Sequence, residues 1–156
     1  MDRLKPRHLI ILSSAPQIRY PDCYGIDMAR LGDFIAFRAA IDLLHENGLD
    51  SIIGDVYQKC KAQLGLEDSR VVNHVKEIYA GFTDEQISDK IAQLITAPDI
   101  HAKVSIVYQS VEGLHKACPE HTGDWYFTGD YPTVGGNRVV NQAFINFIEG
   151  RTERAY

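Results

Sequence analysis

Only two short segments of this 156-residue chain have the pattern of β-strands, and that scarcity limits what it can fold into. Residues 8–12 form a continuous apolar run entered through Pro6, which predicts a buried strand. Residues 104–108 are β-branched and predict a second strand. Because two strands alone are marginal without further strands or helices packed on them, we expect a helix-rich α/β cluster around part of a sheet whose other strands lie elsewhere.

A 3.6-residue apolar period predicts helices in most of the remaining chain. The clearest start is Thr83, because Gln86 three residues later completes a capping box, and Pro98 ends that helix. Asp50 is predicted to be the N-cap of another helix. Residues 13–33 and 118–132 are predicted loops, and residues 149–156 a frayed tail. The predicted helices cover residues 34–48, 50–65, 71–81, 83–97, 110–117 and 137–148.

Composition and charge exclude several classes of protein. The net charge of −5 lacks the basic footprint of a sequence-independent nucleic-acid binder. The sequence contains no apolar run long enough for a membrane span or a secretory signal core. The three cysteines show no C-x-x-C spacing, so a disulfide framework is disfavoured and a reducing, cytoplasmic location is expected.

The residues by themselves indicate no catalytic or metal centre. The six histidines lack H-x-x-x-H and H-E-x-x-H spacing, and Cys118, His121 and Asp124 form a poor closed zinc site because Pro119 and Gly123 interrupt them. The glycines before the last predicted helix, Gly129 and the pair at 135–136, match neither common phosphate-binding pattern. A structural turn is therefore favoured over a phosphate cradle.

Two motifs resemble one known family. Residues 13–28 read S-S-A-P-Q-I-R-Y-P-D-C-Y-G-I-D-M, and residues 127–133 read F-T-G-D-Y-P-T. Both resemble segments of glutamine phosphoribosylpyrophosphate amidotransferases (amidophosphoribosyltransferases), as do residues 82–87 and 107–114. The likeness extends from about residue 9 to residue 148, while residues 38–80 have no counterpart and look like a helical insertion.

The resemblance implies a fold and an activity. The family makes 5-phosphoribosylamine from glutamine and phosphoribosyl pyrophosphate in de novo purine synthesis. It combines an N-terminal cysteine glutaminase with a type I phosphoribosyltransferase domain that binds magnesium. Neither the glutaminase cysteine nor the phosphoribosyl pyrophosphate loop occurs in this sequence. We therefore expect the C-terminal portion of such an enzyme, inactive alone, whose partners are the rest of the enzyme and further copies in a homo-oligomer.

On this resemblance the chain divides into four regions. Residues 1–37 would end the phosphoribosyltransferase sheet and its loop, and residues 38–80 would be the inserted helices. Residues 81–148 would form a C-terminal helical region with one strand, followed by the tail at 149–156. A free-standing interaction or regulatory module derived from the enzyme is the alternative, since inserted amphipathic helices can add a partner surface.

The same resemblance implies a short set of site residues but no catalytic residue. Phe34 stands where relatives place a leucine that lines the ammonia channel, although an ordinary core position in the first helix explains it equally well. Ala29 replaces the proline usual after G-I-D-M. The loop that faces the transferase site would be shaped by Arg19, Tyr20, Tyr24 and Asp27.

Cofactor expectations follow from one departure from the family pattern. Some relatives bind an iron–sulfur cluster partly through C-x-x-C directly before F-T-G, and here Gly123 and Tyr126 occupy those positions. Because such clusters need thiolate ligands, we expect no iron–sulfur cluster. Magnesium is expected in the parent enzyme only.

Overall fold

The computed structural model describes residues 5–24, 28–120 and 123–155. Helices dominate this part of the chain, and short 3₁₀ turns at Leu31–Asp33, Asp68–Arg70 and His74–Ile78 connect them. The strands are β1 (His8–Ser13) and β2 (Lys103–Tyr108). The α-helices are α1 (Ile35–Glu46), α2 (Asp50–Ala62), α3 (Asp84–Ile95), α4 (Val111–Ala117), α5 (Trp125–Thr128) and α6 (Gly136–Ile148).

The two strands pair in parallel, with His8 opposite Lys103 and Ser13 opposite Tyr108. The described chain is therefore a helix-rich α/β structure around a small parallel sheet. The prediction that β1 is buried is wrong. Ile10, Ile11 and Leu12 are 58%, 45% and 76% exposed. The reason is that α3 packs against β2, whereas these apolar side chains of β1 are exposed to solvent.

The core lies around α1, which packs against α2 and α3. Phe37, Ala39 and Ala40 are completely buried. The Phe37 ring meets Phe144 and Phe147 of α6 edge-to-face, at centroid distances of 6.1 and 4.9 Å. Much of the 38–80 stretch thus contributes directly to the core of the described structure.

Local capping chemistry sets the starts of two helices as predicted. The Gln86 backbone N–H donates to Thr83 Oγ1 at 3.2 Å, and the Thr83 N–H donates to Gln86 Oε1 at 2.8 Å, which confirms the capping box. Ser110 caps α4 by accepting from the Gly113 N–H. The assignment of Asp50 as an N-cap is wrong: Leu49 holds that position, and the Asp50 carboxylate pairs with His45.

The predicted helix over residues 71–81 is replaced by an extended segment and the 3₁₀ turn His74–Ile78. The side-chain amides of Asn137 and Asn141 donate to the carbonyls of Val71 and Val72, both at 2.8 Å. Asn73 accepts from the Val75 N–H at 3.0 Å. Amide side chains from α6 therefore bind carbonyls that an α-helix would use itself, and the apolar period does not decide the local structure.

Near the C-terminus, residues 149–155 fold back on α6. The Asn146 side-chain amide donates to the Glu153 carbonyl at 3.2 Å, and Ala155 packs against the core. Within the residues that the structure describes, no helix combines the length and apolar character required to traverse a bilayer.

Candidate functional site

The two motif segments, about 100 residues apart in sequence, pack against each other. The backbone N–H groups of Arg19 and Tyr20 both donate to the Tyr126 carbonyl, at 2.8 and 3.1 Å. The Tyr131 hydroxyl donates to the Pro21 carbonyl at 2.8 Å. We call this contact between residues 17–24 and 124–133 the motif junction.

A buried carboxylate lies within the motif junction. Asp22 is only 2% exposed, and its Oδ1 accepts from the Tyr126 hydroxyl at 3.1 Å. Burial, followed by this hydrogen bond to the carboxylate, raises the pKa of the Tyr126 phenol above its usual value. The phenol therefore stays protonated and remains a donor at neutral pH.

Arg19 connects the first motif to α3 and to Tyr79. Its guanidinium donates to Gln17 Oε1 at 2.6 Å and pairs with Asp84 at the start of α3. It also lies 5.3 Å from the centre of the Tyr79 ring, and the Tyr79 hydroxyl donates to the Arg19 carbonyl at 2.7 Å. Burial raises the pKa of Tyr79 well above its ordinary value, so this donor is also retained at neutral pH.

An aromatic surface borders the junction on the side of the loop that follows it. Tyr24 is 55% exposed and meets Trp125 edge-to-face at 5.7 Å. Cys23 Sγ lies 3.7 Å from Thr133 Oγ1. Burial raises the pKa of the Cys23 thiol, which keeps it in the protonated form and disfavours a role as a nucleophile.

Two glycines of this region, Gly129 and Gly136, are explained by close packing. Gly129 ends α5 with a left-handed φ of 70°, and a Cβ there would lie 2.7 Å from Asn73 Nδ2 and 3.0 Å from the Tyr20 ring. A Cβ on Gly136 would lie 2.3 Å from Tyr131. These contacts favour the structural-turn interpretation of the glycines over a phosphate cradle.

The sequence-predicted site residues are placed in three different environments. Tyr24 lies at the motif junction, whereas Ala29 is buried beside a cavity of about 280 Å³ that Leu31 and Phe147 also line. Phe34 is the N-cap of α1 and is buried in the core cluster, which is the environment of an ordinary core residue. Asp27 lies outside the described residues.

Some residues of the junction were not singled out from the sequence. Tyr79, which contacts Arg19 at the edge of the junction, falls within the predicted helix 71–81, and no pattern distinguishes it there. Gln17, which donates at 2.8 Å to both the Asp84 carbonyl and Ser88 Oγ, is an unremarkable position of the first motif. The available signal for Asp22 was its place inside that motif. From the sequence, Tyr126 is notable only as a position where some relatives have a cysteine that binds an iron–sulfur cluster.

The structure offers no metal centre in the part of the chain it describes, where no group of three His, Cys, Asp or Glu side chains is arranged to hold an ion. Of the weak set weighed from the sequence, Asp124 Oδ2 lies 3.0 Å from His115 Nε2. Cys118 is exposed, and His121 falls outside the described ranges.

Comparison of the chain with protein-family models, with curated proteins and with solved structures found no match. The family resemblance therefore stands on the motif residues, and the structure adds the way in which those residues contact one another.

Proposed function

We propose that this chain is the C-terminal portion of an amidophosphoribosyltransferase, the enzyme that makes 5-phosphoribosylamine from glutamine and phosphoribosyl pyrophosphate. The observation that carries the proposal is the motif junction. Two segments that independently resemble the same family form one contact, in which the Tyr131 hydroxyl donates to the Pro21 carbonyl at 2.8 Å and Cys23 Sγ lies 3.7 Å from Thr133 Oγ1.

The exposed sheet supports the same proposal. Parallel sheets are ordinarily covered on both faces, and their strands are correspondingly apolar throughout. β1 has such a sequence, yet Ile10 and Leu12 are largely exposed in the described chain. Further strands and helices of a phosphoribosyltransferase domain would cover these side chains.

The residues present in this chain determine which steps of the reaction we assign to it and which to the rest of the enzyme. Glutamine cleavage and phosphoribosyl pyrophosphate binding, with its magnesium, belong to the remainder of the enzyme. This chain supplies the loop segment of the first motif, followed by Ala29 beside the cavity, whereas Phe34 lies in the core. In the family this loop faces the transferase site and contributes to the ammonia path, so its role here is to exclude water and direct ammonia.

The first test joins the chain to the rest of an enzyme. This chain replaces the matching C-terminal portion of a characterised amidophosphoribosyltransferase, and the fused enzyme is expressed in a purine auxotroph that lacks its own enzyme. We expect growth without added purine and glutamine-dependent formation of phosphoribosylamine. A matched fusion with Phe34→Asp, which puts a charge into the buried core, should fail to grow. A well-folded native fusion that forms no product would contradict the proposal.

The second test uses the chain alone. We expect the purified chain neither to release ammonia from glutamine nor to make phosphoribosylamine, because it lacks the glutaminase cysteine and the phosphoribosyl pyrophosphate loop. Turnover by pure protein would overturn the assignment as a portion of the enzyme.

Sequencing the genomic frame upstream of Met1 separates the proposal from an interaction or regulatory module. An open frame that encodes a run similar to D-D-S-I-V-R-G-T-T supports the enzyme. A stop codon and a ribosome-binding site directly before Met1 would favour the module.

A further inference from the structure

Gln63 and His74 lie at the centre of a chain of hydrogen bonds between the end of α2 and the 3₁₀ turn that follows it. The Val72 N–H donates to Gln63 Oε1 at 2.7 Å, and the nitrogen of the same side-chain amide contacts His74 Nε2. On the other side of the ring, His74 Nδ1 lies 3.0 Å from Glu77 Oε1, and Lys59 Nζ donates to Glu77 Oε2 at 2.6 Å. One imidazole ring therefore connects an amide to a carboxylate.

The partners of the His74 ring fix the position of its proton. Because Gln63 Oε1 accepts from the Val72 N–H, the NH2 group of that amide faces the ring. An amide NH2 group only donates, and a carboxylate only accepts. His74 Nε2 must therefore be an unprotonated acceptor, and Nδ1 must carry the proton that is donated to Glu77. The contacts are all satisfied by a neutral ring in this one tautomer.

The other ionisable groups recorded around this ring keep their charge state at moderate pH. The Lys59 hydrogen bond, and then that of His74, holds the pKa of Glu77 below its ordinary value, so Glu77 stays a carboxylate. Burial, and then the Glu77 charge, raises the pKa of the Cys60 thiol of α2 to about 12. From α6 the neutral amide of Asn141 accepts from the His74 backbone N–H at 3.2 Å. Histidine is the residue type that changes charge between about pH 8 and about pH 5.

A second proton on the His74 ring is incompatible with this set of hydrogen bonds. The imidazolium carries a hydrogen on both nitrogens, so Nε2 can no longer accept from Gln63. If the Gln63 amide turns its oxygen towards the ring, its NH2 group faces the Val72 N–H, and two donors then meet. The contact with Glu77 is kept and becomes charge-assisted. Protonation therefore breaks the hydrogen bond between Gln63 and Val72 and retains the one to Glu77.

The bond that is lost lies beside the motif junction. Val72 is 57% exposed, so water can replace Gln63 as the partner of its N–H. The next residue, Asn73, donates from its side-chain amide to the Gly129 carbonyl at 3.1 Å. The segment that is released on one side thus holds a residue of the second motif on the other.

We infer that Gln63 and His74 form a pH-sensitive clasp, in which protonation of the His74 ring frees the Val72 N–H and loosens the connection between α2 and the 3₁₀ turn. The clasp depends on contacts within this chain, so it does not rest on the proposed function.

The first experiment locates the ring proton in the full native chain. Nitrogen NMR spectra distinguish the two ring nitrogens of a neutral histidine by which of them carries the hydrogen. At about pH 8, where histidine side chains are ordinarily neutral, the proton should lie on Nδ1 of His74. A proton on Nε2 at this pH would overturn the inference.

The second experiment follows the Val72 amide as the pH is lowered. Its protection factor, which compares the observed hydrogen exchange with that of an unfolded chain at the same pH, should fall about fivefold between about pH 8 and about pH 5. That is the effect of one lost hydrogen bond. The fall should follow the protonation of the His74 ring. The Ile91 amide inside α3 should not follow it. A Val72 protection factor that is constant over this range would refute the clasp.

Two variants remove the conflict in different ways. Gln63→Glu keeps the length of the side chain but presents two acceptor oxygens, so it can accept from the Val72 N–H and from the protonated ring together. His74→Gln removes the titrating ring. In both variants the Val72 protection factor should no longer fall on acidification. His45→Gln is the matched control and should retain the native fall, because His45 pairs with Asp50 at the start of α2.

The variants also give results that would contradict the clasp. One is a Gln63→Glu chain whose Val72 amide loses protection as the native amide does. Another is a His74→Gln chain that keeps the native pH dependence. If a variant does not fold, the ring tautomer and the native exchange profile still decide the outcome, since both are measured on the unaltered chain.

Discussion

Individual residues in this protein fall into those that act through their own neighbours and those whose role depends on distant partners. Thr83 caps α3 through Gln86, only three residues away, and a short pattern predicted it. Tyr126 contacts Asp22 across more than a hundred positions, and no local pattern indicated that contact. The motifs draw attention to residues of the second group, but they do not show which residues these contact.

Glycine substitution gives a prediction at the residue scale. Gly129→Ala should destabilise the chain by about 2 kcal/mol or more, because a left-handed φ is costly for alanine and the new Cβ would press on Asn73 and Tyr20. Gly54→Ala is the matched control: it lies inside α2 with nothing within 4 Å. That variant should stabilise the chain by about 0.5–1 kcal/mol. Chemical denaturation measures both, and a Gly129→Ala chain as stable as native would contradict the packing described.

At the scale of elements, side-chain amides decide the conformation of residues 71–78. The apolar positions of this segment do become buried, since Val75 and Ile78 are fully enclosed. They nevertheless lie on a 3₁₀ turn and not on an α-helix, because the amides of Asn137 and Asn141 donate to the carbonyls of the segment before the turn. The burial of Val75 and Ile78 was predictable from the sequence. The backbone conformation that buries them depends on α6, whose amide side chains lie 66 and 69 positions later in the chain.

The same turn gives a pH prediction. The Lys59 hydrogen bond, and then that of His74, holds the pKa of Glu77 below its ordinary 4.5. The unfolded chain therefore binds a proton more readily, so the stability from this group is present above about pH 4.5 and is lost as pH falls through the folded pKa. Glu77→Gln should flatten the loss of unfolding free energy between about pH 5 and about pH 3.

The expected difference is small, because Glu77 and Lys59 are each more than one third exposed and solvent screens their attraction. Denaturant unfolding at several pH values measures it. Glu67→Gln changes an exposed carboxylate of the preceding loop and serves as the control. A native chain and a Glu77→Gln chain with the same acid dependence would show that the Lys59 contact does not form in solution.

On the scale of the whole molecule, the main feature is a core around α1 beside a sheet that stays open. Phe37 and Phe144 are completely enclosed, while β1 exposes apolar side chains. Exposed edge strands usually carry lysine, proline or a bulge that discourages further pairing, and residues 8–13 contain neither lysine nor proline.

We therefore predict that the chain alone self-associates through β1. Leu12→Lys, at the most exposed large apolar position of the strand, should shift the chain toward monomer without loss of stability. Leu64→Lys, which charges an exposed leucine beyond α2, should leave self-association unchanged. Sedimentation velocity over a range of concentrations measures the states. A native chain that remains monomeric would count against the prediction.

Residues of the candidate site could be predicted from the sequence where they belong to a motif that resembles the family. Arg19, Tyr20 and Tyr24 were expected to shape the loop, and each has contacts at the motif junction. Phe34 and Ala29 were both predicted to belong to the site. The structure buries Phe34 in the core and places Ala29 beside a cavity. Sequence spacing does not reveal which of two apolar residues faces a cavity, because both satisfy the same pattern.

What the sequence determined by itself was local: the capping box at Thr83, the Ser110 cap, the helix periods and the two strand segments. Each depends on contacts within a few residues, so its chemistry is visible in a short window. Only the tertiary structure decided that β1 is exposed, that residues 71–78 are not α-helical and that Tyr126 holds Asp22. Those outcomes depend on partners 66 to 104 positions away, and such partners become neighbours only when the chain is folded.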